Sequence, residues 1–522
     1  MNLRVTRFLF LLPLFSLNPA ATGAAEADLP AAMAAARSIE LIIAPGTLRS
    51  DEVTLAWDKP ADVGTTATFQ VLRDGRVIGT TSKIHFTAKG LEPAHSYVFA
   101  VKVQGASGGA SRSSNVLQIR TAPEEHVVSV EQFGARGDGV TMNTKAIQAA
   151  IDACPPNGVV LIPRGVFLSG ALFLKSDMTL LVAEGSVLKG SSSPSDYEPF
   201  FLNRFEGWEL RTYASLLNAG RMDHAGPPNV RNLSIRGPGR ISGGGAVLAK
   251  AMIQAGGDRS RGRLFCLMNC ASVEIQGLIL EESPSWTLHY IYCEDLSCHD
   301  LTINSSVRNG DGIDPDSSRN SYIFNCSFSN DDDCIAIKSG KNPEGNVINR
   351  PTENVRIFDC AFIKGHGISI GSEMSGGVRN VLVQDCIAGD LLNGLQIKGT
   401  KDRGNVVEGV VVRDCELRKI SILTVLAYNN DGQPAPGQPF FRDFRFVNID
   451  LTKARPASPV VIVNGFSQEG HRTRNVSFEN LRLPDGAIIR VDQAEDVTFS
   501  KVTTTGGGKP VFEISRSERV AY

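Results

Sequence analysis

Two short stretches concentrate the chemistry of this 522-residue chain. Arg308-Asn309-Gly310-Asp311-Gly312-Ile313-Asp314-Pro315-Asp316 is followed by Asn330-Asp331-Asp332-Asp333-Cys334-Ile335-Ala336-Ile337-Lys338, and together they hold six aspartates. Gly365-His366-Gly367 and Gln396-Ile397-Lys398 come next. Carboxylates pressed together raise at least one pKa. One protonated carboxyl beside one carboxylate is the pair that acid–base cleavage of a glycosidic bond requires. Bland readings exist for each piece alone. Asp-Gly is an ordinary turn pair, and acidic turns can bind calcium. The run fails the EF-hand pattern, because Ile313 stands where Asp or Asn belongs and no Glu follows in place. Arg136-Gly137-Asp138 looks like an adhesion tripeptide but reads better as a turn before a helix.

What could bring these residues together is a repeat. Lines of the form Asn/Asp-apolar-x-apolar recur from Asn232 to Asp496, among them Ser272-Val-Glu-Ile, Asp295-Leu-Ser-Cys, Ser321-Tyr-Ile-Phe, Asn354-Val-Arg-Ile, Asn380-Val-Leu-Val and Asn475-Val-Ser-Phe. Aligned, they stack Leu278, Leu301, Cys326, Cys360, Cys386, Cys415, Ile449, Leu481 and Val502 in one column, with Tyr322 in the first apolar slot of its line. Strand-only repeats of 20–50 residues indicate a solenoid, here a right-handed parallel β-helix. Residues one coil apart then lie about 4.8 Å from each other. Asp311, the Asp332-Asp333 pair, His366 and Lys398 therefore fall on four consecutive coils along one face. Four cysteines in the column read as buried thiols; Cys266–Cys270 and Cys293–Cys298 are the better disulfide candidates. Asn143-Thr144 should open and cap a short helix, with Ala146, Ile147, Ala150, Ile151 and Cys154 on one face, plugging the end of the solenoid.

Composition agrees with an all-β chain. Its 51 glycines are scattered, as tight turns require, and 53 basic against 55 acidic residues give a net charge of −2. No basic stripe suggests nucleic acid. Residues 38–122 read as a separate antiparallel module. Val53–Trp57 alternates, Arg73-Asp74-Gly75-Arg76 marks a hairpin, and Tyr97 opens a late strand where a tyrosine corner would lie. This module resembles a fibronectin type III domain. Before it, Arg4 and Arg7 precede the apolar run Phe8–Leu17 and small residues to Ala25, the order of a secretory signal peptide over 1–25. A run of that length is too short to span a bilayer. The expected product is a secreted or periplasmic protein, with no membrane or nucleic-acid partner and a monomeric state.

The Asn309-x-Asp311-Gly312, Asp332-Asp333-Cys334, Gly365-His366-Gly367 and Ile397-Lys398 blocks resemble the signature of the polygalacturonases, the pectin-cleaving glycoside hydrolases of family 28. The likeness takes in Arg261-Gly262-Arg263-Leu264 and Ser283–His289 and covers most of residues 127–522. It implies a parallel β-helix that inverts the anomeric centre with neither metal nor cofactor. It also implies Asp332 as general acid, Asp311 and Asp333 as activators of water, His366 tuning the acid's protonation, and Lys398 holding a substrate carboxylate. Asn309 and Tyr428 join the substrate-binding set. Two departures matter. Gly310 replaces a Thr, and Gln396 replaces an Arg whose bidentate grip on carboxylate a glutamine cannot reproduce. Either Arg403 substitutes for it, or that subsite accepts something different. A fibronectin-like module before the β-helix resembles bacterial exo-acting members, whose cleft must be closed at one end; insertions at 241–262 and 429–440 are the candidate walls. The expectation is an exo-polygalacturonase acting on polygalacturonate and pectin oligosaccharides, releasing mono- or digalacturonate. Alternatives are an endo-polygalacturonase, a rhamnogalacturonan or xylogalacturonan hydrolase, a calcium-dependent pectate lyase, or a non-catalytic pectin-binding β-helix.

Overall fold

A computed structural model describes residues 39–522 apart from 61–62, 64–66, 104–110, 428–430 and 456–457. The expected signal peptide and Tyr428 lie outside the described residues. From His126 onward the chain winds as a right-handed parallel β-helix whose walls are sheets of nine, fourteen and twelve strands. Most coils add one strand to each wall, the nine-stranded wall ending at Ile387–Leu391, and within the three walls the pairing is parallel.

The Asn/Asp line openings have a direct backbone cause. Asn232, Asp295, Asn354, Asn380, Asp443, Asn475 and Asp496 all have φ between 54° and 60° or, for Asp443, 62°. Asn and Asp tolerate this left-handed conformation better than other side chains, so each opening turns a corner into the fourteen-stranded sheet. The same side chains bond from coil to coil, with Asn354 donating to Asn320 at 2.9 Å and Asn380 to Asn354 at 2.6 Å. One line was out of step. Asn320 is the left-handed residue of its coil, and Ser321 pairs with Leu296 and Val355 in the inward slot. Tyr322 therefore points outward beside Arg356, not into the first apolar slot.

Cys415, Ile449, Leu481 and Val502 pair in register, and the cysteine column is buried. All ten cysteines are free thiols, which corrects the disulfide expectation. Cys270 points into the solenoid core while Cys266 belongs to a separate outer cluster, because the chain turns a corner at Asn269 (φ 48°) and the two cysteines lie on strands of different walls. Cys270 instead donates its backbone N–H to the Cys293 sulfur of the next coil at 3.2 Å.

Helix α1 (Thr144–Ala153) buries Ile147, Ala150 and Ile151 against the first coil. Asn143 stands at its N-cap without capping it. Its amide instead accepts from Arg136 N–H at 2.7 Å and donates to the Arg136 carbonyl at 3.0 Å, which holds the Arg136–Asp138 turn.

Ahead of the solenoid, two antiparallel sheets of three and five strands enclose a core around Trp57 and Phe69. Asp74 and Gly75, both at positive φ, make the tight hairpin between Phe69–Arg73 and Arg76–Thr81. The Tyr97 hydroxyl accepts the Glu92 N–H at 2.8 Å, the back-bond of a tyrosine corner. The sandwich is docked on the fourteen-stranded sheet. Phe324 and Phe358 of the solenoid enter its core cluster, Arg49 pairs with Glu274, and Lys59 reaches Asp385 at 2.5 Å and Asp414 at 2.9 Å.

Candidate active site

The twelve-stranded sheet carries the site. Its successive strands β1 (Leu288–Ile291), β2 (Ile313–Asp316), β3 (Ile335–Ile337), β4 (Ile368–Ile370) and β5 (Leu395–Thr400) lie side by side. Asp311 precedes β2, Asp332 and Asp333 precede β3, His366 precedes β4, and Lys398 lies on β5. The four-coil face expected from spacing is therefore formed. Two glycines let it close. A Cβ at Gly312 would meet the Cys334 carbonyl at 2.4 Å, and Gly367 has φ +85° with the Gly394 carbonyl 2.2 Å from its would-be Cβ.

Asp333 is the anion at the centre. Burial by itself would raise its pKa, but Lys398, His366, Lys338 and Ser369 together hold it well below the usual carboxylate range. Lys398 Nζ lies 3.3 Å from Asp333 Oδ2, and Ser369 Oγ donates to Asp333 Oδ1 at 2.6 Å. Asp332 is the more exposed neighbour, at 28% against 5% for Asp333. It is the carboxyl of the pair that reaches solvent. His366 Nδ1 sits 3.2 Å from Asp332 Oδ1 and 3.5 Å from Asp333 Oδ1. Hydrogen bonding to these two carboxylates pushes the imidazole up to about 10, so it is protonated at neutral pH. Asp311 goes the other way. Burial, with Asp332 and Asp333 nearby, outweighs Lys338 and raises it to about 7.

Sequence reasoning missed the layer beneath. Lys338 is buried, with Nζ 3.3 Å from Asp311, 3.4 Å from Asp314 and 3.9 Å from Glu373, and 4.7 Å over the Trp286 ring. Period-two alternation along Asp314-Pro315-Asp316 and Ala336-Ile337-Lys338 already put these charged groups on the outward face. Glu373 comes from a turn after β4 and left no such mark.

The substrate-side expectations fare unequally. Gln396 lies one coil below Ser369, with Nε2 3.4 Å from Ser369 Oγ, so it touches Asp333 only through that hydroxyl. Asn309 accepts from Arg261 Nη2 at 2.8 Å, which holds the Asp311 turn. Arg403 does not replace the missing arginine. Its guanidinium is fully buried, donating to the Ser372 carbonyl at 2.7 Å and Asn342 Oδ1 at 2.5 Å, and pairing with Asp431 at 3.0 Å. It anchors the loop that begins at Asp431, which Lys341 also grips at 3.4 Å.

That loop is part of a wall. The antiparallel hairpin of Phe201–Phe205 and Trp208–Thr212 was not foreseen. Its Arg204 is fully buried, 2.7 Å from Asp316. The Trp208 ring lies against Gly432, and Glu206 pairs with Arg259 at 3.7 Å, next to helix α2 (Gly245–Gly256). The hairpin thus links the helical insertion, through Glu206 and Arg259, to the 431–437 loop, through Trp208 and Gly432.

Sequence comparison places this geometry. The profile of glycosyl hydrolases family 28 matches residues 212–505, more than half of the chain. The chain belongs to glycosyl hydrolases family 28. A rhamnogalacturonase A/epimerase, pectate lyase-like profile matches residues 127–194. The chain is 27% identical to the exo-poly-alpha-D-galacturonosidase of Dickeya chrysanthemi, over 91% of this chain and 92% of that one. It superposes on the Yersinia enterocolitica family 28 exopolygalacturonase with a TM-score of 0.86 at 26% identity, covering 92% and 99% of the two chains. On the Thermotoga maritima exopolygalacturonase the TM-score is 0.59 at 26% identity, covering 75% and 92%. This family 28 member is a glycoside hydrolase.

Proposed function

We propose that this hydrolase cleaves α-1,4-galacturonosidic bonds from the chain end of polygalacturonate, with inversion. The observation that carries the reading is the joint placement of Asp311, Asp332, Asp333, His366 and Lys398 on four consecutive coils. Asp332, the carboxyl open to the cleft, donates its proton to the leaving oxygen. Imidazolium His366 beside it re-supplies that proton and fixes the carboxyl's direction. Asp333 is held anionic and, with Asp311, draws a proton from the attacking water, as an inverting displacement demands. Lys398 presents an ammonium to the substrate carboxylate from the adjacent coil. Gln396 brings no charge of its own beside Lys398.

Exo action is supported by the wall of hairpin, helical insertion and 431–437 loop, and by the exo-acting relatives. A calcium-dependent lyase is disfavoured by the cations already in place. Asp332, Asp333 and His366 could together offer ligand atoms to a metal. Lys398 lies 3.3 Å from that set and His366 is itself charged, whereas calcium takes oxygen ligands. The N-terminal sandwich serves as a fibronectin type III-like module, and residues 1–25 direct export to the periplasm or medium. N-terminal sequencing of the exported protein tests the cleavage near Ala25. Chromatography of products from polygalacturonate over time tests the activity: mono- or digalacturonate from the first time point is expected. A ladder of oligomers would make the enzyme endo-acting. No release, with turnover on rhamnogalacturonan or xylogalacturonan, would move the substrate.

A further inference from the structure

A separate cavity of about 300 Å³ opens where the N-terminal sandwich rests on the fourteen-stranded sheet, away from the sheet that carries Asp311 to Lys398. The sandwich contributes Glu40, Trp57 and Asp58; the solenoid contributes Tyr322, Arg356 and Phe358. The interface is tightly pinned around it, by Arg49 to Glu274 and by Lys59 to Asp385 and Asp414. Inside the gap, polar groups stand unused. Arg356 Nη1 and Trp57 Nε1 are buried and hydrogen-bonded to nothing, and Trp57 is only 3% exposed. Among the described residues, no carboxylate lies within ion-pair distance of Arg356.

Buried donors without acceptors are costly, so the gap calls for an occupant rich in oxygen. A guanidinium grips a carboxylate better than a neutral acceptor, through paired hydrogen bonds. Asp58 and Glu40 offer acceptors for hydroxyls, and the Tyr322 ring offers an apolar surface for the C–H face of a pyranose. The volume suits one sugar ring at the low end of ligand pockets.

We propose that this cavity binds one uronic-acid residue of the polysaccharide, its carboxylate on Arg356 and its hydroxyls toward Asp58 and Glu40. The ligand class rests on the substrate reading above. A second grip on the same polymer raises the effective concentration of chain ends at the catalytic coils without a new catalytic contact.

The test uses the full chain with Asp332→Asn to stop turnover, titrated calorimetrically with trigalacturonate. Two sites are expected, and one after Arg356→Met is added. In the otherwise wild-type enzyme, R356M should raise KM for polygalacturonate several-fold while leaving kcat on that polymer unchanged. R356K keeps the charge but not the planar fork. It should weaken the second site about tenfold, and it provides the reading if R356M does not fold. The proposal is overturned if one site is seen in both proteins, if the second site survives R356M or R356K at full strength, or if uncharged galactotriose fills it equally well. If product chromatography fails while an Arg356-dependent site for trigalacturonate remains, the assigned activity falls and this site stands.

Discussion

Two sets of side chains on the same coils are equally hidden from water and meet burial in opposite ways. Cys326, Cys360, Cys386 and Cys415 are 1–3% exposed inside the solenoid, while Asp311, Asp333 and Lys338 are 3–4% exposed on its outer face. Burial pushes the Cys326 and Cys386 thiols up, while hydrogen bonds with those two pull Cys360 down, and the column is packed among apolar side chains. It can repeat coil after coil at little cost, since a thiol behaves as a small hydrophobe. The outer set is charged and cannot repeat. Its members compensate one another: Lys398 and His366 against Asp333, Lys338 against Asp311, Asp314 and Glu373. An inner ladder of small buried side chains builds the fold, and a closed, balanced cluster on the outer face of a few coils makes a site.

Variants can break that contrast or sharpen it. Asp332→Asn should lower turnover by about 10³, the scale of a lost general acid. Its melting temperature should stay near wild type because Asp332 is partly exposed, and reducing-end release beside a thermal melt checks both. Lys338→Met should cost about 3–5 kcal/mol, because it strands buried carboxylates. Denaturant unfolding measures this; a cost below 1 kcal/mol would mean that the outer set is not balanced as described.

Asp311→Asn carries a pH signature. The folded-state pKa of Asp311 is raised from the ordinary 3.8 to about 7. The folded chain therefore holds this proton more tightly than the unfolded chain, and stability falls as pH rises through that window. The variant should match wild type near pH 4 and gain on it toward pH 8, with a ceiling near ~4 kcal/mol. Melts across pH 4–8 would show the difference growing with pH, and a constant difference would refute the shift. Cys386→Ala should cost only ~1–2 kcal/mol, a small cavity in a packed column. The smallest effect expected is none: dithiothreitol should leave melting and activity unchanged, and all ten thiols should titrate in denaturant.

Several of these features were legible without coordinates because they are local or periodic. Asn354, Asn380 and Asn475 mark corners because their own backbone must enter the left-handed region. Asp311, Asp332, Asp333, His366 and Lys398 could be aligned because one repeat carries each a fixed step along the axis. Slips came where the pattern was degenerate. Ser321 was displaced by Tyr322 since a polar residue filled an inward slot, and the disulfide candidates neglected the corner at Asn269 that puts Cys266 and Cys270 on different walls.

By itself, then, the amino-acid order determined the coil repeat, the thiol column and the four-coil array of acids, imidazole and ammonium. Repetition writes such features many times over in short-range patterns. Only the tertiary structure decided that Arg403 is spent on Asp431 and Asn342, that Lys338 underlies the aspartates with Glu373, and that the 201–212 hairpin meets the 431–437 loop. Each depends on which loops of distant coils come to rest against one another. Closure in three dimensions sets those meetings, and no spacing along the chain encodes them.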